Sequence, residues 1–437
     1  MDGKKYINIA IVQIIVLFLS ANTYAADYWQ APFDTVNADT KLNNTRITLD
    51  DAISLVAVHN PLFKSIEYQN RAALSNVRQA GVWANPELDA EFEEVGLDSP
   101  GFDESEFTVS IAQDFELFGQ RGARKNLARV NFDYTKLQSK LSSFDLYLEL
   151  KSRYYTFAHA QLGVGLSEQS LGLAQEIVEN IQYRLEKGAA LQSELLLAQL
   201  DEQRAKLALD QAKLDVVANE AALTALWNQE PNGIEVSIGI EPDFKLLSDK
   251  IDQLTHQIDS TRAVIQMSNE LNILGAEKSM AIKEARPTVT LSGGVKRLAS
   301  DKSKSFLFGF SLPLPIFDRN QGTRDSYSAQ IQSLRYDIER NRIETDADIR
   351  SHIIQLNKSI ERHTAIDSML LPTAEQVYQI LQDAYEAGRV PYTQLLEAKR
   401  SYNELNFEHN DMILAIQEQI IALESLIGVT LPFEKEN

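Results

Sequence analysis

The sequence predicts a mainly α-helical protein with a transmembrane β part, built as two repeats of a strand hairpin plus long coiled-coil helices. Three observations predict it. The chain is written twice: Gly188, Leu195, Leu196 and Ala198 recur as Gly388, Leu395, Leu396 and Ala398, at an offset of 200. Near that offset Phe118 to Arg124 resembles Phe317 to Arg324, with Gly122 facing Gly322, and Pro86 and Pro287 each open a β-like run. In each copy two runs of roughly ten residues alternate with period two, and nearly uninterrupted helical stretches follow them.

At the N-terminus, Lys4 and Lys5 precede an apolar run from Ile7 to Leu19, and Thr23-Tyr24-Ala25 reads as a cleavage site. This is the three-part pattern of a secretory signal peptide over residues 1–25, and the run is shorter than the roughly 20 residues of a spanning helix. A free arm, 26–47, follows. The chain has no cysteine, so it offers no lipid attachment point, no disulfide and no thiolate metal site. With 62 acidic against 42 basic residues, nucleic acid is excluded as a partner. No later apolar run is long enough for a spanning helix, so any membrane crossing must use strands.

The first repeat, 48–228, holds a helix, strands at about 86–95 and 107–117, and helices 124–187 and 190–228. In the second strand Phe107, Val109, Ile111, Phe115 and Leu117 alternate with Thr108, Ser110, Ala112, Asp114 and Glu116. After a linker at 229–250, the second repeat, 251–430, gives strands at about 287–297 and 305–314 and helices 324–387 and 390–428; 431–437 is a tail. Its last strand sets Phe306, Phe308, Phe310, Leu312 and Leu314 against smaller residues. Apolar residues outside and polar ones inside suit a transmembrane barrel; a half-buried soluble sheet alternates in the same way, and the signal peptide and helical flanks favour the barrel. Four strands cannot close alone, because two edges would present unpaired backbone groups to lipid. The expectation is a homotrimer with a 12-stranded barrel in outer-membrane lipid. Asp89, Glu91, Glu93, Asp114 and Glu116 then fall on inward faces as lumen residues.

Helix lengths balance. Residues 124–187 span about 96 Å at 1.5 Å per residue, matched by 61–83 plus 190–228; 324–387 is likewise matched by 262–286 plus 390–428. Apolar columns at Leu200, Leu207, Leu214, Ala221 and at Phe407, Leu414, Ile421 have the seven-residue period of coiled-coil seams. Neighbouring columns, Leu196, Gln203, Asp210, Val217 and Leu396, Asn403, Asn410, Gln417, suit a wet face. Pro372, and Gly163 with Gly165, are expected to bend the long helices. Gly188 and Gly388 each end a long helix, so the chain reverses there and the surrounding residues crowd one tip.

With Leu49-Asp50-Asp51-Ala52, Asn60-Pro61, the segment Pro313 to Gly322 and the paired glycine turns, the chain resembles the TolC family over roughly residues 48–430. Residues Phe118 to Arg124 look closer to the CzcC-like heavy-metal branch than to TolC itself. The resemblance implies a TolC-like tube: a passive outer-membrane exit duct of a tripartite efflux system in a Gram-negative bacterium. It would be docked through a long periplasmic tube onto a periplasmic adaptor protein and an inner-membrane pump, carrying metal cations or small toxic molecules. A type I protein-secretion conduit is the alternative. It also implies a periplasmic gate, with Tyr385 three residues before the second glycine and Glu194 six after the first, Ser193 beside it. The family's arginine position holds Val390, with Arg389 one residue earlier. Gln394 stands where an acid is often found, and Glu397 would form a threefold acidic ring.

No catalytic motif is present: no paired-histidine metalloprotease signature, no nucleophile elbow and no phosphate-cradling glycine loop. The six histidines are scattered, although His352 and His363 could share a helix face. The expectation is a non-enzyme with no cofactor and no metal site. A periplasmic coiled-coil adaptor or tether would explain the helices but not the four strands.

Overall fold

The computed structural model describes residues 33, 46–94, 105–236, 261–300 and 302–431. The expected signal peptide, nearly all of the arm, most of the linker and the tail beyond Leu431 lie outside them. The elements are β1 (Arg46–Ile47), α1 (Leu49–His59), α2 (Pro61–Ala80), β2 (Glu87–Glu93), β3 (Glu106–Phe115), α3 (Gln120–Glu186), α4 (Gln192–Thr224), β4 (Glu235–Val236), α5 (Arg262–Glu284), β5 (Val289–Leu298), β6 (Lys304–Ser311), α6 (Gln321–Ala365), α7 (Leu371–Glu386) and α8 (Tyr392–Ile427).

Two compact units divide the chain: residues 1–64, 140–264 and 342–437 in one, and 65–139 with 265–341 in the other. The units do not follow the two repeats. Each takes a segment from both copies, because elements of one repeat pack on elements of the other: β3 pairs with β5, and Lys151 of α3 with Glu424 of α8.

In the second unit β2, β3, β5 and β6 form one antiparallel sheet in that order. The two hairpins meet through β3 and β5, in register from Glu106 opposite Leu298 to Phe115 opposite Val289. Register places Leu88, Ala90 and Phe92 against Ile111, Val109 and Phe107, and Leu291, Gly293 and Val295 against Phe310, Phe308 and Phe306. One face is therefore mainly apolar across the four strands, with Arg297 opposite Lys304 at its hairpin end, and it is open: Phe306 is 80% and Phe308 89% exposed. Among the described residues β2 and β6 each pair on one side only, leaving two edges free. The strands stop sooner than the alternation suggested. Glu116, Leu117, Leu312 and Leu314 lie beyond the ladder, where Pro313 and Pro315 supply no N–H.

Gly294 is required where β5 crosses β3. A Cβ there would lie 2.5 Å from the Val109 carbonyl oxygen and 2.8 Å from the Ser110 Cβ. Gly294→Val is expected to force the strands apart at a cost of about 1–3 kcal/mol. The folded fraction, read by heat-modifiable gel mobility, should fall sharply; a wild-type folded fraction would refute the close approach.

In the first unit, Thr48 and Asp51 form a capping box that starts α1. Asn60 ends it, accepting from the Leu62 amide at 2.9 Å and donating to the Leu226 carbonyl at 2.7 Å, while Pro61 opens α2. The described part of the linker is fastened down: β4 pairs in parallel with β1, and Glu220 accepts from the amides of Asn232, Gly233 and Ile234 at 2.7–3.0 Å. The core gathers Ile47, Val56, Phe144, Tyr154, Leu223 and Trp227. Within it Lys151 donates to both oxygens of Glu424, at 2.8 and 2.9 Å, with both side chains almost fully buried.

The long helices correct two expectations. The stretch 324–387 is not one α-helix: a π-helical turn, Ile366–Leu370, separates α6 from α7. Pro372 lacks an N–H and its ring crowds the carbonyl of Ser368, and the wider turn absorbs the mismatch. By contrast α3 runs on through Gly163 and Gly165. Exposure follows the expected columns only in part: on α4 the wet-face residues Leu196 and Val217 are exposed as expected, and so is the expected dry column. On α4, Leu200, Leu207 and Leu214 are 50–69% exposed in the single chain. On α8, Asn410 and Gln417 are buried, Asn403 donates to Ser170 at 2.8 Å and Asn410 to the His159 carbonyl at 3.3 Å. Asn403 and Asn410 line the contact because they find partners across it, which period alone does not reveal; the buried Gln417 amide has no partner among the described residues.

Candidate functional site

The two glycine turns are built alike. Gly188 and Gly388 have φ of 73° and 71°. In each turn the glycine amide donates three residues back, to Leu185 and Tyr385, and the next amide five back, Ala189 to Arg184 and Arg389 to Ala384. This is the Schellman arrangement, repeated at the offset of 200. Beneath the turns lies a core of Ile177, Ile181, Leu195, Tyr378, Tyr392 and Leu395.

The side chain that joins the turns is Arg184, which sequence reasoning missed. Its guanidinium lies 4.4 Å from the Tyr385 ring centroid. One terminal nitrogen donates to the Tyr385 carbonyl in the second turn, and the other to the Ala189 carbonyl in the first, at 3.4 Å. A cation suits this place, the C-terminal end of two helices. Arg184 lies four residues before Gly188 and so within reach of the turn, but nothing local marks its partner.

Tyr385 is buried and its hydroxyl donates to Glu194 at 3.5 Å, a long contact. Burial, with the Glu194 charge beside it, pushes the phenol up to about 12, so it stays a donor at ordinary pH. Glu194 also accepts from the Leu191 amide at 3.4 Å, at the start of α4 where the helix dipole favours an acid. Tyr385 and Glu194 are thus brought together. Ser193, Arg389, Gln394 and Glu397 are not: all four side chains are exposed, and none joins the Arg184–Tyr385–Glu194 group. An open cleft of about 450 Å³, lined by Arg184, Glu194, Tyr385, Arg389 and Val390 among others, lies at the turns. Below them Lys399 is buried against Asp201 at 2.7 Å.

On the sheet, register puts Asp89, Glu91, Glu93 and Asp114 on the polar face, with Glu87 and Glu106 beside them. Glu116 is the exception. It lies past the end of β3 and is held by Arg124 through two bonds of 2.7 and 3.0 Å, and Arg124 also ties down the Ala80 carbonyl. Glu116 thus joins the end of β3 to the start of α3 through Arg124. Lys296 lies on the polar face and pairs with Glu93 at 3.3 Å and with Glu106. Asp114 accepts from Thr290 at 2.6 Å. Asp89 and Glu91 are exposed and have no ion pair among the described residues.

Among the described residues no group of three or more His, Asp or Glu side chains is placed to hold a metal ion, and no helix is long and apolar enough to cross a membrane. His363 stacks on His409, 4.7 Å between ring centroids, rather than meeting His352, which faces Gln419.

The family model "Outer membrane efflux protein" matches residues 52–229 and 256–429. The chain is 24% identical, over 87% of its length and 90% of the relative's, to the cobalt-zinc-cadmium resistance protein CzcC of Cupriavidus metallidurans. It is 26% identical to the nickel-cobalt-cadmium resistance protein NccC of Alcaligenes xylosoxydans, over 65% of each chain. Among solved structures, CusC superposes with a TM-score of 0.73 at 17% identity, covering 92% of this chain and 96% of that one. VceC of Vibrio cholerae does so with 0.69 at 16% identity, covering 87% and 96%. Two family-model segments spanning most of both repeats, on a fold shared with these channels, establish that the chain belongs to the outer membrane efflux protein family.

Proposed function

We propose that this chain is one third of an outer-membrane exit duct for divalent metal cations, a homotrimer that receives its cargo from a periplasmic adaptor and an inner-membrane pump. The observation that carries the duct is the sheet. It has an exposed apolar face, an acidic opposite face and two edges unpaired among the described residues, a combination tolerable in lipid only when neighbouring copies continue the ladder. Three copies give twelve strands around an aqueous path. The exposed Leu200–Leu207–Leu214 column of α4 is likewise covered by the next copy. Nothing reactive is needed: the pump drives transport, and the duct supplies a polar route and a closure at the glycine turns. Metal cations are favoured as cargo by the relatives named for cobalt, zinc, cadmium and nickel resistance. Deleting the gene should sensitise cells to at least one of these salts, with recovery on re-expression. Sensitivity confined to drugs or detergents would reassign the cargo, and loss of a secreted protein instead would favour type I secretion.

The acidic face makes the lumen cation-preferring, since threefold rings of carboxylates focus a negative potential in a confined path. Replacing Asp89, Glu91, Glu93 and Asp114 by their amides should lower cation preference in planar-bilayer recordings, and Lys296→Gln should raise it. Unchanged selectivity in both variants would sink the assignment.

A further inference from the structure

We propose that Arg297 and Lys304 form a binding site for the phosphate groups of a glycolipid in the outer leaflet, one site per protomer on the lipid-facing rim of the barrel. The inference rests on the barrel reading above. Both residues lie at the hairpin end of β5 and β6, the end away from the helices into which the chain continues, and register sets them directly opposite each other. They share the apolar face, one step beyond Val295 opposite Phe306. Within the four strands they are the only charged residues on that face, and both are positive. Both are exposed, and Lys302 in the adjoining turn is exposed as well.

Like charges directly opposite on neighbouring strands repel, and a charge next to lipid needs a counter-charge. The same sheet neutralises its other cation thoroughly: Lys296, one residue away and facing inward, is paired with both Glu93 and Glu106. Arg297, Lys302 and Lys304 have no acidic partner among the described residues. Among the described residues the outward pair thus has no counter-charge, and an anion from outside the chain would supply it. A phosphate beside acyl chains fits both halves of the surface: the guanidinium and ammonium hold the phosphate, and Phe306, Phe308 and Phe310 below them, all exposed, lie against the chains.

The test titrates the detergent-solubilised full-length protein with diphosphorylated lipid A and with lipid A stripped of both phosphates, read by native mass spectrometry. The wild-type chain should prefer the phosphorylated lipid by about tenfold or more. R297Q/K304Q should lose that preference, while R297K/K304R should keep most of it. Equal binding of the two lipids by the wild-type chain, or an unchanged preference in R297Q/K304Q, overturns the site. Displacement of lipid A by millimolar inorganic phosphate overturns it too, because the site would then take a free anion. Planar-bilayer conductance separates the failures: a wild-type chain that forms no conducting species removes the barrel and this rim with it. A conducting chain that fails the lipid test removes the rim alone.

Discussion

Lys151→Met is expected to destabilise the protein by about 3–5 kcal/mol, the usual cost of leaving one partner of a buried pair uncompensated. Among the described residues Lys151 is the only side chain donating to Glu424, which also accepts from the Leu431 amide at 2.6 Å. Burial raises the Glu424 carboxyl pKa, and the Lys151 ammonium and the Leu431 amide pull it down. Removing the ammonium raises it further above the unfolded-state value. A raised folded-state pKa means that the native protein holds a proton the unfolded chain releases. The corresponding stability is present at low pH and is lost as pH rises through the folded value. The deficit of Lys151→Met should therefore be smaller at pH 5 than at pH 8, and a second change, Glu424→Gln, should recover much of it at pH 8. Thermal midpoints at the two pH values decide this; a pH-independent deficit, or no recovery in the double variant, contradicts the account.

Arg184→Ala should open the proposed gate more than any other single change at the tip. The guanidinium makes two bonds to turn carbonyls and a cation–π contact. For a partly exposed group their loss costs about 1–2 kcal/mol in each protomer, or roughly tenfold in a closed-to-open equilibrium. The effect then multiplies across three copies. Tyr385→Phe with Glu194→Ala should do less, because the contact it removes is 3.5 Å long. Arg184→Lys should be intermediate, since one ammonium cannot fork to both carbonyls. Arg389→Ala, exposed and outside the group, should conduct like wild type. Single-channel recordings and sensitivity to large antibiotics report the order; an Arg184→Ala channel as quiet as wild type would place the closure elsewhere.

Much of this architecture was legible because it is written in short periods. Alternation over Phe107–Phe115 and Phe306–Phe310 identified strands and their faces, since pleating sends successive side chains to opposite sides whatever surrounds them. The offset of 200 located two equivalent turns, because only residues tolerant of positive φ end a helix in this way. Pro372, where the sequence predicts a bend, is preceded by a π-helical turn that interrupts the α-helix. These are properties of the local backbone, so the chain alone determines them. Tertiary structure decided which side chains meet across helices far apart in sequence. Arg184 reaches Tyr385, Lys151 reaches Glu424, and Asn410 with Gln417 turn inward while Leu200 and Leu207 stay exposed. A helix presents every side chain at one of about 3.6 angular positions per turn. Small drifts in phase over the length of α3 thus change which residue faces α7 or α8, and the local sequence does not record the drift. Glu116 shows the same limit at a strand end: its parity groups it with the polar-face acids, and only the tertiary structure reveals its two bonds to Arg124.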